Sequence, residues 1–517
     1  MAEQKYDVVI IGAGITGACI ARELSKTTAK ICLLDKEDDV SCGSSKANSG
    51  IVHAGYDPVP GTLMAKYNVR GAELYPSLAK KLHFDYKPIG SLVVAFDDDG
   101  VKKINTLLER GKKNGVKELR IVGQAELRTL EPNISENAVG ALFAPTAGII
   151  APYQATWAIA ESAVINGVTF LRNTMVHSIT KQADNSFVLA TSSGDLHASF
   201  IVNAAGLAAD KISHLAGARD YTIVQRRGEY CLLDNKCVNL VNHVLFQTPG
   251  PLGKGVLVTR TVDGNILIGP SADDVTSSTM DYTGTTAISQ DAILKAAARS
   301  VTDIPRRNII NSFSGIRAIA YQKNNSGELV PVNDFIIEED KTVRGFINVG
   351  GICSPGLTSA PAIAEGVVSL LKNAGLKMQS NGHFIEEREG IASFKDADHA
   401  TKLSLIKKDP RYGQIICRCE MITEGEIVAA IKSPLGAVDL DGIKRRTRAG
   451  MGRCQAGFCS PRVTEIVSRE LHIPMVSVTK RGGTSFVLDS KTRATVPDVA
   501  GQTQNQPLTN NAAQGEN

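Results

Sequence analysis

Four cysteines late in the chain carry the spacing of a metal site. Cys417-Arg-Cys419 and Cys454-Gln-Ala-Gly-Phe-Cys459 read as C-x-C, 34 residues, then C-x4-C. Four thiolates serve either a [2Fe–2S] cluster or a structural zinc ion. Zinc favours C-x2-C knuckles at both ends, and this spacing does not match them. Near the other end, Gly12-Ala-Gly14-Ile-Thr-Gly17 spells G-x-G-x-x-G. In that pattern the first glycine permits a tight turn and the second lets backbone approach a pyrophosphate. The third lets a helix pack on a strand. Asp35 stands 23 residues after Gly12, where a carboxylate can accept from ribose hydroxyls. Lys36 beside it is a further candidate for cofactor contact.

These residues need particular elements to hold them. Residues 6–11 form a β-branched run, residues 15–26 have helical spacing, and residues 31–34 are a second apolar strand. That is a βαβ unit, with the glycine turn at the helix N-terminus, where free N–H groups favour a phosphate. A Gly/Ser/Asn-rich stretch, residues 40–61, follows as a long loop, and loops of that length are usually functional. NAD domains usually continue as regular alternating units. Here the remaining strands lie far along the chain, at residues 200–202 before Asn203-Ala-Ala-Gly206 and at 346–349 before Gly350-Gly351, with a helix from about Ser359. That arrangement favours FAD held along its length. In the cysteine-bearing part, helices are expected at 420–431 and 440–449. The basic run Lys444, Arg445, Arg446, Arg448 and Arg453 is expected to offset the cluster's charge and raise its potential.

The 517 residues are 43% hydrophobic and 21% charged, which excludes global disorder and fibrous classes. A net charge of +4 carries no nucleic-acid signal. No run of 18 apolar residues occurs, so no transmembrane segment is expected. The start, Met-Ala-Glu-Gln-Lys, enters the first strand with no room for a signal peptide, so a cytoplasmic protein with reduced thiols is expected. The fold class is α/β: a Rossmann-like FAD-binding domain, a mixed-sheet α+β substrate domain, and a small helical C-terminal iron–sulfur domain. The oxidoreductase part spans residues 1–380. Its FAD-binding pieces are about 1–80, 145–215 and 340–380, and its substrate domain about 81–144 and 216–339. A polar linker is expected over 381–412, the cysteine module over 413–487, and a disordered tail over 490–517.

Several stretches together resemble the D-amino-acid-oxidase-type flavoproteins. They are Ser44-Ser45 with Asn48-Ser-Gly-Ile-Val-His53-Ala-Gly55, Ile201-Val-Asn-Ala-Ala-Gly206, Arg227-Gly-Glu-Tyr230, Gly269-Pro-Ser-Ala272 and Val349-Gly-Gly-Ile-Cys-Ser-Pro-Gly-Leu-Thr358. Within that family they are similar to the glycerol-3-phosphate dehydrogenase and L-2-hydroxyglutarate oxidase branch. The cysteine module resembles the bacterioferritin-associated-ferredoxin-like (BFD-like) [2Fe–2S] domain. The resemblance implies FAD on Gly12, Gly14, Gly17 and Asp35. Ser44, Ser45, Asn48 and Ser49 would line the flavin side, and Ala205, Gly206, Gly350, Gly351, Gly356, Leu357 and Thr358 would pack on the dinucleotide. It implies His53 as base or electrostatic partner at the flavin, and Arg317 as the cation that holds an anionic substrate. Arg260 is a second substrate candidate. Tyr56 is a third, shortly after His53, in a region where membrane-bound glycerol-3-phosphate dehydrogenases carry an arginine. That departure leaves room for a carboxylate substrate. The implied activity is oxidation of sn-glycerol 3-phosphate to dihydroxyacetone phosphate, with electrons leaving through the cluster to a protein partner. The alternatives are a 2-hydroxy acid such as L-2-hydroxyglutarate, and a non-catalytic electron-relay subunit.

Overall fold

In the computed structural model, β1 (Gln4–Ile11), α1 (Ile15–Leu24) and β2 (Ile31–Leu34) form the expected βαβ unit. The structure describes residues 4–248, 255–275 and 282–491. Of the tail expected to be disordered, residues 492–517 lie outside them. All four residues of β2 are buried, as suits a strand covered on both faces. β1 pairs in parallel with β2 on one side and with β3 (Gly194–Asn203) on the other, Ile11 standing opposite Leu34 and Asn203. The pieces at 200–202 and 346–349 thus join one sheet, as their buried apolar runs require.

A second, ten-stranded sheet carries the other wall of the site. Its long strands β4 (Thr222–Leu233) and β5 (Ile309–Lys323) pair antiparallel along most of their length, with Arg226 opposite Arg317. Returning to the first sheet, β6 (Phe346–Gly350) pairs with β3 and leads into α2 (Gly356–Asn373). This helix begins three residues before the expected Ser359, with Pro355 at its N-cap.

The cysteine module contains α3 (Glu424–Lys432), α4 (Leu440–Thr447) and α5 (Ser460–Leu471). α3 starts later than expected because Thr423 and Glu426 form a capping box there, satisfying two N-terminal amides reciprocally. Ile427, Val428, Ile443 and Val467 build the module's own core. Leu435, by contrast, is buried in the core of the first sheet, alongside residues such as Trp157. Residues 381–412, expected as a linker, are no free tether. The Arg388 guanidinium is buried, donates to Glu161 at 2.8 Å, and stacks 4.2 Å from the Trp157 ring centre. Residues His399–Lys408 form a helix.

Candidate functional site

One cavity of about 2010 Å³ is lined by the loops after β1, β2 and β3 and by the facing side of β4 and β5. Ordinary small-ligand pockets hold roughly 300–1,000 Å³, so there is room for a dinucleotide with a substrate beside it. The three glycines divide their roles as the motif requires. A Cβ on Gly12 would stand 2.4 Å from the Ala204 carbonyl, and one on Gly17 would stand 1.9 Å from the Gly12 carbonyl. Gly14, by contrast, would meet only the Ser45 hydroxyl, at 3.0 Å, and its open face lines the cavity. Asp35 also lines it, and its two oxygens accept from the Ala13 and Glu37 amides at 2.7 and 3.0 Å. Burial raises its carboxyl to about 6, against the pull of those two amides. These residues fit the pyrophosphate and ribose of FAD.

His53 and Arg317 line the same cavity. The His53 ring stacks on Phe246 with centres 5.7 Å apart. Its backbone is held on both sides: the amide donates to Thr358 Oγ1 at 3.0 Å and the carbonyl accepts from Asn68 at 2.7 Å. Arg317 spends Nη2 on the Ser271 carbonyl at 2.9 Å. The neighbouring Gly228 keeps that position open, since a Cβ there would come within 2.8 Å of the guanidinium.

The four thiols meet two by two. Cys417 is hydrogen-bonded to Cys459, and Cys419 to Cys454. The Cys459 thiol and the Gly450 and Glu420 amides lower the Cys417 thiol from its ordinary value, against its burial. Among the described residues no three His, Cys, Asp or Glu side chains converge on a single ion. Paired thiols suit a cluster in which each iron takes two thiolates. Backbone geometry supports the pairing. A Cβ on Gly452 would stand 2.3 Å from that of Cys419, and Gln455 and Ala456 adopt left-handed φ of 48° and 72° to curl the loop between Cys454 and Cys459. Such strain in non-glycine residues persists where the surroundings impose it.

A family model described as FAD dependent oxidoreductase matches residues 7–370, and one described as BFD-like [2Fe-2S] binding domain matches residues 415–469. The chain belongs to the FAD-dependent oxidoreductases. It binds FAD, and its C-terminal module carries a [2Fe–2S] cluster rather than zinc. The oxidoreductase is 46% identical to a glycerol 3-phosphate dehydrogenase of Caloramator mitchellensis, over 95% of this chain and all of that one. It is 35% identical to a glycerol 3-phosphate oxidase of Mycoplasma genitalium, covering 73% of this chain and 97% of the relative. The solved L-alpha-glycerophosphate oxidase of Mycoplasma pneumoniae, with FAD bound, superimposes with a TM-score of 0.69 at 32% identity. That match covers 74% of this chain and 98% of the other.

Other expected site residues of the oxidoreductase have structural duties. Ser44 donates to the Ile316 carbonyl at 2.6 Å, and Ser45 accepts from the Ile15 amide at 2.9 Å. Asn48 donates to the Ser44 and Ser45 carbonyls, so these side chains pin the loop beside the cavity. Ser49, Ala205, Gly206, Gly351, Gly356, Leu357 and the exposed Lys36 line the cavity, while Gly350 packs on the Tyr221 ring. Thr358 is buried and ties α2 to His53. Arg260 lines the cavity, but its guanidinium is engaged by the Val241 carbonyl and by Asn242. Tyr56 is a correction: it does not line the cavity, because its ring is buried in an apolar cluster with Val93, Ile104 and Leu107.

The basic run is a second correction. Arg445 and Arg446 are buried and hold Asp39 across the domain junction, with N–O distances of 2.7, 2.7 and 2.8 Å. Burial pushes the Asp39 carboxyl up, but the two guanidiniums hold it well below the ordinary carboxylate range. Arg448 pairs with Asp263 at 2.6 Å and Glu420 at 2.9 Å. These three charges are spent on neighbours instead of on the cluster. Asp39 is a junction residue that sequence reasoning missed, and Arg448 is one whose partners it misassigned. The signal was available only as a helix whose three basic residues outnumber its one acid, Asp441.

Proposed function

We propose that the oxidoreductase oxidises sn-glycerol 3-phosphate to dihydroxyacetone phosphate in the cytoplasm and delivers the electrons to a protein acceptor. The observation that carries this reading is the 46% identity to the Caloramator mitchellensis dehydrogenase, which extends over the cysteine module as well as the FAD-binding part. FAD, when bound, supplies a two-electron acceptor for the C2 hydrogen, and the cluster supplies a one-electron carrier. The chain's own residues do the rest. Arg317 has donors left over after Ser271, and a guanidinium fork suits the phosphate oxygens. His53, fixed by Thr358, Asn68 and Phe246, accepts the proton that leaves the C2 hydroxyl. Gly12, Gly14, Gly17 and Asp35 hold the cofactor, and Cys417, Cys419, Cys454 and Cys459 hold the cluster.

The electron route is supported by position. Met451 and Gln455, which flank Cys454 in sequence, line the same cavity as His53. Anaerobic addition of substrate tests the reaction. sn-Glycerol 3-phosphate should bleach the flavin absorbance while L-2-hydroxyglutarate leaves it intact. The reverse result would assign the 2-hydroxy acid, and no bleaching by either would remove the enzyme from both classes.

A further inference from the structure

At the Asp35 end, the cavity meets the cysteine module. The turn at residues 480–485, together with Lys444 and Arg445 of α4, lines the same space as Asp35 and Lys46. Close contacts fix the turn there. A Cβ on Gly482 would stand 2.4 Å from the Asp38 carboxylate, and Arg445 donates to Asp39. Gly482 and Gly483 both have positive φ, 73° and 54°, and the turn closes through Arg481 N to Ser485 Oγ at 2.9 Å.

This end of the cavity carries surplus positive charge. Lys480 is neutralised by Asp441 at 2.6 Å, and Lys36 by Glu37 at 3.4 Å. The side chains of Lys444, Arg481 and Lys46 make no hydrogen bond or ion pair with any described residue. Lys444 is half-buried, and its burial lowers the ammonium below its ordinary value despite the nearby Asp441. A cation withdrawn from water without a partner is costly unless an anion meets it.

We propose that the iron–sulfur module completes the cofactor site by closing over the ADP half of FAD, with Lys444 and Arg481 as contacts to its phosphates. The inference rests on FAD occupying the groove beside the G-x-G-x-x-G turn. Cofactor affinity and module docking are then coupled, because the same loop serves both. The domain that carries one redox centre helps retain the other.

The test uses the full-length protein stripped of flavin and titrated by flavin fluorescence. Lys444→Met with Arg481→Ala should raise the FAD Kd by about tenfold or more, a loss of at least about 1.4 kcal/mol. The affinity for riboflavin, which lacks the ADP half, should not change. The salt dependence of FAD binding should flatten. Lys444→Arg with Arg481→Lys keeps both charges and should restore affinity. Iron and acid-labile sulfide contents report whether the module stays folded. If the double variant loses iron, the exposed Arg481→Ala alone carries the test and must still weaken FAD several-fold. An FAD Kd equal to that of the unaltered protein, or equal losses for FAD and riboflavin, would overturn the proposal. Failure of the unaltered protein to bind FAD would instead defeat the cofactor assignment.

Discussion

Asp35 connects the cofactor to pH. Its folded-state carboxyl lies at about 6, above the ordinary 3.8, because burial outweighs the two amides it accepts. The fold therefore favours the proton. The contribution of Asp35 to the stability of the flavin-free protein is present at low pH and is lost as pH rises through about 6. FAD affinity runs the other way, since only the carboxylate can accept from both ribose hydroxyls. FAD should bind about tenfold more weakly at pH 5 than at pH 7. Asp35→Asn should be weak at both and flat between them. A flat profile in the unaltered protein would exclude Asp35 from the ribose site. Arg317 affords a second prediction at this scale. Arg317→Lys keeps the charge but loses the fork, and kcat/KM should fall by about 1–3 kcal/mol in transition-state terms. An unchanged value would take Arg317 out of the substrate site. The glycines and Asp35 were legible in the sequence because their spacing is local to one βαβ unit. The fate of Tyr56 was not, because a one-dimensional pattern cannot say which face of a loop turns toward the core.

Helix α4 was legible as a helix and misread as a charged face. Its basic residues looked like a counter-charge for the cluster because the cysteines are their sequence neighbours. The real partner of Arg445 and Arg446 is Asp39, 407 residues from Arg446 and beyond the reach of any local pattern. Asp39 and both guanidiniums are buried, so removing the acid strands two charges in the interior. Asp39→Asn should destabilise the junction by about 3–5 kcal/mol. Replacing all three with apolar residues, Asp39→Leu with Arg445→Met and Arg446→Met, should recover most of that loss. The chain's one tryptophan offers the readout. Trp157 lies between Arg388 at 4.2 Å and Arg446 at 5.4 Å from its ring centre, both brought there by docking. Its emission should shift to the red in Asp39→Asn and return in the triple variant. Asp39 is depressed in the folded state, so this contribution is held above the ordinary carboxylate range and lost as pH falls below it. Emission unaltered in Asp39→Asn would show that the junction does not depend on the charge cluster.

The whole molecule joins two redox modules through a junction that is neither a flexible linker nor a bare apolar face. Arg448 ties the cluster loop to the cavity wall, pairing at once with Glu420, next to Cys419, and with Asp263; its Nη1 also lies 3.2 Å from the Tyr153 hydroxyl. Among the described residues no helix is long and apolar enough to cross a membrane. Cys419, an exposed cysteine at the edge of the module, is the point from which electrons leave in the reaction proposed above. Flavin takes two electrons together, and a [2Fe–2S] centre carries one. If the cluster is the exit, breaking it must separate the two halves of the reaction. Cys454→Ser should lose iron and the reduced-state EPR signal, and a dithionite titration should consume one electron fewer. Single-turnover bleaching of the flavin by sn-glycerol 3-phosphate should survive, because its proton acceptor and its substrate cation lie in the other domain. Re-oxidation by a dye that reads the flavin directly should also survive. One-electron re-oxidation by a ferredoxin- or flavodoxin-type protein, too large to enter the cavity, should collapse. Undiminished transfer to such a protein from the cluster-free variant would show that electrons leave from the flavin and that the cluster only holds the module together.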